Sequence, residues 1–114
     1  MAVEKMAEKT LREICSETGA SRRAVQGYEK AGLVSAVGTN KYGHLLYDET
    51  GRDRISKIYF FQRIGFSIRE IRELLNAPTA QQKELLYQQI HKLEARQEEL
   101  QELILQTHKY IDTL

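Results

Sequence analysis

Apolar side chains recur along this chain with two different rhythms. From residue 86 onward, Leu86, Ile90, Leu93, Gln97, Leu100, Ile104, Thr107, Ile111 and Leu114 alternate steps of four and three without a slip. That is the seven-residue repeat of a helix with one apolar seam. A helix over 80–113 would be roughly 50 Å long at about 1.5 Å per residue. A seam of that length outruns any small head, so the pattern predicts a partner helix and a homodimer. Leu86, Ile90, Leu93, Leu100, Ile104 and Ile111 are the predicted dimerisation residues, and polar Gln97 and Thr107 in the seam favour one register over maximal stability.

Upstream the pattern is shorter and more often interrupted. Thr10-Leu11-Arg12-Glu13 reads as a capping box, in which Thr and Glu side chains satisfy each other's free backbone N–H groups. Leu11, Ile14, Cys15 and Thr18 follow on one helical face, and Gly19 suits the left-handed residue that ends such a helix. Ser21 predicts a second N-cap, with Ala24, Val25 and Tyr28 as the buried face of a helix that stops at Gly32. Asp48 is the expected cap of a third helix (Ile55, Ile58, Tyr59 and Phe61) ended by Gly65. Ser67-Ile68-Arg69-Glu70 is a second capping box, opening a fourth helix with Ile68, Ile71, Leu74 and Leu75 inward. Pro78 predicts a break before the long helix.

Between residues 33 and 47 the period changes. Ser35, Gly38, Thr39, Asn40 and Gly43 mark turns, and Leu45–Tyr47 reads as a short strand. The expected architecture is therefore mainly α. It comprises an N-terminal arm over 1–9 predicted to be disordered, a winged helix-turn-helix head with a small β-hairpin wing over 10–77, and a coiled-coil dimerisation helix over 78–114.

Two short helices around a tight Gly-containing turn place the second helix in a DNA major groove, its first residues towards base edges. Those residues are Ser21, Arg22 and Arg23, with Gln26 one turn on. Arg reads guanine bidentately and Gln reads adenine. Tyr28 belongs to the core by periodicity, with a hydroxyl placed to reach a phosphate. Lys41, Tyr42 and His44 at the wing tip complete the predicted DNA-binding set, facing backbone or minor groove.

Composition narrows the class. The chain has 114 residues and a formal net charge of +1. Lys and Arg outnumber Asp and Glu by 13 to 10 over residues 1–78, whereas over 79–114 the order is 4 to 6. The basic excess thus lies on the head, where a phosphate-facing surface needs it. No apolar run is long enough to span a bilayer, no signal-peptide pattern opens the sequence, and a cytoplasmic protein is expected. The single cysteine, Cys15, forms no disulfide within the chain and is read as a small buried hydrophobe. His91 and His108 fall outside the seam and are read as solvated. Neither metal nor cofactor is expected, and the absence of a nucleophilic triad, a phosphate loop or a metal cluster sets enzymatic readings aside.

The segments Leu11-Arg12-Glu13-Ile14, Thr18-Gly19-Ala20-Ser21, Tyr28-Glu29-Lys30-Ala31-Gly32-Leu33 and Gly65-Phe66-Ser67-Ile68-Arg69-Glu70-Ile71-Arg72-Glu73-Leu74-Leu75 together resemble the MerR (mercury-resistance regulator) family of bacterial transcription factors. The likeness spans Thr10 to about Leu75, and the trailing seam matches in kind. It implies a winged helix-turn-helix head, an antiparallel two-helix dimer contact, binding to a two-fold-related promoter element, and RNA polymerase as a further partner. The chain departs from the family where DNA would be touched. Gln26-Gly27-Tyr28-Glu29 stands where the family usually has Arg-Tyr-Tyr-Glu, and Gly43-His44-Leu45-Leu46-Tyr47 where it usually has Gly-Tyr-Arg-x-Tyr. Both changes weaken the phosphate contribution, with Arg22, Arg23 and Lys41 left to offset them.

Two functions of different class follow: a sequence-specific, DNA-binding transcriptional regulator acting as a homodimer, or a winged-helix protein-interaction module that has lost specific DNA binding. Salt-dependent affinity for duplex DNA separates them.

Overall fold

The computed structural model describes residues 8–114. Its elements in chain order are β1 (Lys9–Thr10), α1 (Leu11–Thr18), α2 (Arg22–Lys30), β2 (Gly38–Thr39), β3 (Leu45–Tyr47), α3 (Glu49–Arg63), α4 (Ile68–Asn76) and α5 (Thr79–Ile111). They divide into two compact units, Met1–Arg72 and Glu73–Leu114. The mainly helical fold with a small antiparallel sheet and a long last helix agrees with the patterning. No helix among the described residues is long and apolar enough to cross a membrane.

Capping chemistry starts α1, α2, α3 and α4 where the sequence places them. The Thr10 hydroxyl accepts from Glu13 N–H while the Glu13 carboxylate accepts from Thr10 N–H, closing the first capping box. Ser21 Oγ accepts from Ala24 N–H at 3.0 Å, and Asp48 Oδ1 from Gly51 N–H at 2.8 Å. Ser67 and Glu70 form the second box reciprocally, at 3.2 and 3.0 Å. Each arrangement satisfies backbone donors that the helix itself leaves free.

Two helix ends in the first unit close alike. At the end of α2, Leu33 N–H donates to Tyr28 C=O and Gly32 N–H to Glu29 C=O, both at 2.9 Å. At the end of α3, Phe66 N–H donates to Phe61 C=O and Gly65 N–H to Gln62 C=O, both at 3.0 Å. This 6→1 and 5→2 pair is the Schellman closure, and it requires a left-handed residue where Gly32 (φ 75°) and Gly65 (φ 112°) stand. The apolar contact that accompanies such a closure is present after α3 as an edge-on pair of Phe61 and Phe66, with ring centroids 6.2 Å apart. The segments Tyr28–Leu33 and Phe61–Phe66 thus share one design: aromatic, polar, basic, apolar, glycine, apolar.

The core of this unit is built from Ile14, Ala20, Val25, Tyr28, Leu33, Val34, Tyr47, Ile55, Ile58, Phe61, Phe66 and Ile71, all buried. Burying each large member is worth about 1.5–3 kcal/mol. Cys15, expected to be buried, is half-buried.

The expected wing hairpin is present as β2 and β3, and a third strand, β1, joins it. The sheet has three strands in the order β1-β3-β2, all antiparallel, with Gly38 opposite Leu46 on one side and Lys9 opposite Tyr47 on the other. Lys9 therefore belongs to the fold and not to a disordered arm; residues 1–7 of that predicted arm lie outside the described residues. The physical reason lies at Thr10. As an N-cap it must be extended (φ −73°, ψ 162°), so the approach to α1 is already strand-like, although two polar residues carry no alternation to announce it.

In the second unit, α5 runs for 33 residues. Gln82 Nε2 donates to Ala77 C=O at 2.8 Å across the proline break. Gln89, and not its seam neighbour Ile90, is the buried side chain of this helix.

Gly27 within α2 and Gly32 just beyond its end should respond to substitution with opposite signs. Gly32→Ala places a Cβ on a left-handed residue and is expected to cost about 1–2 kcal/mol. Gly27 has helical geometry and open space around a Cβ, so Gly27→Ala should stabilise by about 0.5–1 kcal/mol. Urea denaturation of both variants measures this; destabilisation by Gly27→Ala would contradict the open environment.

Candidate nucleic-acid interface

The second helix of the helix-turn-helix presents two faces of different chemistry. Its inner face, Val25 and Tyr28, is buried. Its outer face, Ser21, Arg22, Arg23, Gln26 and Gly27, is exposed. The Ser21 cap fixes the first turn, so Arg22 and Arg23 project from the helix start. Two cations there oppose the helix dipole, which makes them a cost to the isolated head.

Side-chain bonds lock this helix from behind. The Tyr28 hydroxyl donates to Gln62 Oε1 of α3 at 2.6 Å. Tyr28 is 1% exposed, which corrects its expected place in the contact set: its hydroxyl proton is committed inside the head and does not face a phosphate. The Glu29 carboxylate accepts from the Tyr47 hydroxyl, joining the helix to the wing strand β3. Arg54 donates to Leu33 C=O and Arg72 to Ala31 C=O, so two guanidiniums satisfy carbonyls at the negative end of α2. Tyr28 and Tyr47 are both raised above the ordinary tyrosine range, chiefly by burial, with the Glu29 carboxylate adding to the rise at Tyr47.

The wing tip is shaped by Asn40. Its Oδ1 accepts from Tyr42 N–H at 2.9 Å and His44 N–H at 3.0 Å, while Asn40 N–H donates to His44 C=O at 2.9 Å. Lys41, Tyr42 and His44 lie on this turn and are exposed. Tyr42 is 71% exposed, with Lys41 Nζ 5.1 Å from its ring centroid and the His44 ring 6.2 Å away.

Charges in the first unit sort into paired and unpaired sets. Glu17 pairs with Lys9 and, at 3.8 Å, with Arg52, which also meets Asp53 at 3.1 Å. Among the described residues Arg12, Arg22, Arg23 and Lys41 join no ion pair, and neither do Lys30, Lys57, Arg63 or Arg69. A cleft of about 470 Å³ opens between α1, α2 and the wing, lined by Thr10, Leu11, Arg12, Arg22, His44 and Leu45. Burial raises the Cys15 thiol on α1, and the positive charge of Arg22 acts against that rise. Sequence reasoning did not single out Arg12: as the second residue of a capped helix it carries no signal of the cleft it lines. Among the described residues no group of three His, Cys, Asp or Glu side chains could hold a metal ion.

On α5 the seam side chains Ile90, Leu93, Leu100, Ile104 and Ile111 are 43–58% exposed, and Leu86 is half-buried. Leu103, Leu105 and Tyr110 widen the exposed apolar stripe in the second half of the helix. His91 and His108 are exposed.

Comparison with known proteins gives this surface a context. Residues 9–78 match the family described as MerR HTH family regulatory protein, and residues 52–106 the one described as MerR, DNA binding. The HTH-type transcriptional activator mta of Bacillus subtilis is 28% identical over 94 residues, covering 82% of this chain and 37% of that protein. Nodulation protein NolA of Bradyrhizobium diazoefficiens is 32% identical over 68 residues, covering 60% and 29%. The chain thus spans about a third of the length of the curated relatives it matches. The crystal structure of MtaN, the N-terminal part of the Bacillus subtilis multidrug transporter activator, superposes with a TM-score of 0.67 at 25% identity, covering 90% of this chain and 97% of that one. HiNmlR, a MerR family regulator lacking the sensor domain and solved bound to promoter DNA, superposes at 0.70 over 86% and 79% with 18% identity, a likeness of fold.

The Tyr47–Glu29 contact has a pH signature. Because Tyr47 is raised in the folded state, its contribution is fully present below the ordinary tyrosine pKa of about 10 and is lost as pH rises above it. Tyr47→Phe should cost about 1.5–3 kcal/mol at neutral pH, the range for a hydrogen bond to a charged partner, and should flatten the alkaline fall in stability. Denaturation from pH 8 to 11 tests this; an equally steep alkaline limb in the variant would contradict it.

Proposed function

The chain belongs to the MerR family of helix-turn-helix transcriptional regulators, and we propose that it acts as a homodimer that binds a two-fold-related promoter element in a sequence-specific manner. One observation carries the DNA reading: Arg22 and Arg23 start a Ser21-capped helix, join no ion pair among the described residues, and are opposed by the helix dipole. Such cations are accounted for when phosphates and guanine edges complete them. Gln26 reaches the groove one turn further along, and Lys41, Tyr42 and His44 meet the backbone beside it.

The exposed seam of α5 carries the dimer reading. Apolar side chains at heptad spacing over a helix about 50 Å long are covered most simply by the same seam of a second copy, running antiparallel. Such a pairing sets the distance between two recognition helices, and with it the spacing of half-sites. RNA polymerase at the bound promoter is the further partner of this reading, and the cytoplasm its location.

Replacing Leu93 and Leu100 together with Glu should yield monomer in analytical ultracentrifugation; an unchanged dimer would remove the assignment of the seam. For DNA, titration of a selected inverted-repeat duplex and a scrambled one over a salt series should show tighter binding to the repeat and log affinity falling linearly with log salt. Equal, weak binding to both would favour the protein-interaction module, as Gln26 and Leu45 in place of basic residues would permit.

A further inference from the structure

Arg22 and Arg23 look equivalent in the sequence, yet the fold separates them. Arg22 lines the cleft between α1, α2 and the wing, together with Arg12 and His44, and Arg23 does not. Three basic side chains thus converge on one hollow from three separate segments, α1, α2 and the wing turn before β3. Neither Arg12 nor Arg22 is neutralised by a carboxylate among the described residues. The nearby carboxylate of Glu13 accepts from the N–H and hydroxyl of Thr10 and forms no ion pair with Arg12 or Arg22.

We propose that Arg12 and Arg22 clamp a backbone phosphate of the duplex in this cleft, with His44 on its wing wall, while Arg23 alone of the arginine pair reads a base edge. The proposal rests on the DNA-binding reading and divides the labour within it. Charge complementarity selects the occupant: a guanidinium pair across a hollow fits a phosphate group by fork geometry. The cleft also adjoins the helix that enters the groove, so the phosphate belongs to the same duplex. A contact shared by α1, α2 and the wing sets how deeply the helix sits without carrying sequence information.

The test uses the full chain with labelled inverted-repeat and scrambled duplexes in anisotropy titrations over a salt series. Arg22→Ala should weaken both duplexes by the same factor, keep their affinity ratio, and make the log–log salt slope shallower by about 1.8 for two protomers, at about 0.9 per lost phosphate. Arg12→Ala should do the same. Arg22→Lys, which keeps the charge, should restore most of the slope. Arg23→Ala should instead lower the affinity ratio by about fivefold to 150-fold per half-site, the range of one bidentate base contact. Thermal melts confirm that these exposed variants remain folded. An unchanged slope in Arg22→Ala or Arg12→Ala, or a collapse of the affinity ratio in Arg22→Ala, overturns the clamp. If the unmodified chain binds with salt dependence but equally to both duplexes, the assignment of Arg23 fails while the clamp is still read from the slope. If it binds neither, the regulatory reading fails and the clamp with it.

Discussion

A phenol hydroxyl and an amide oxygen, Tyr28 and Gln62, meet at 2.6 Å between the recognition helix and α3, and the geometry of the head depends on that contact. Each partner sits in the last turn of a helix that closes through glycine in the same way. The bond therefore joins two helix ends whose directions are already fixed by their own backbones. A buried hydroxyl without a partner costs about 1–3 kcal/mol, so helix packings that leave Tyr28 unpaired are disfavoured. Arg54 and Arg72 add bonds to the carbonyls at this end of α2. The inner side of the recognition helix is thus tied at its C-terminal end, and its N-terminal end is left to face outward.

The link from Glu29 to Tyr47 extends that constraint to the wing. Helix start, wing tip and the N-terminal turn of α1 are then presented by one packed unit, which reduces the ordering that binding would require. Preorganisation bears on function because the chain lacks basic side chains at Gln26 and Leu45. With fewer charges to draw on, placement of those that remain matters more. In the proposed clamp Arg12, absent from the sequence-based site, restores part of the electrostatic term from a helix outside the groove.

Much of this was legible in the residues. Capping boxes at Thr10 and Ser67, the Ser21 cap and the glycine at the end of α2 are local signals, and local backbone geometry followed them. The α5 seam was legible because a 33-residue helix repeats its pattern many times. What stayed hidden was non-local. Strand β1 consists of Lys9 and Thr10, too short for alternation, and exists because an N-cap is extended and Tyr47 lies opposite. Tyr28 carried both a core and a contact reading, and only the position of Gln62 decides between them. Arg12 and Arg22 line one cleft and Arg23 does not, a property that no spacing along one helix encodes.

In the proposed dimer, paired α5 helices link two recognition helices and so set the distance between half-sites. Affinity for an inverted repeat, measured as the spacer between its halves is lengthened, tests that union most directly. Adding about five base pairs, half a turn of the duplex, should turn the second half-site to the opposite face and reduce binding to the level of a single half-site. Binding that is indifferent to spacer length would show that the heads act independently, and would contradict a two-fold dimer reading promoter DNA.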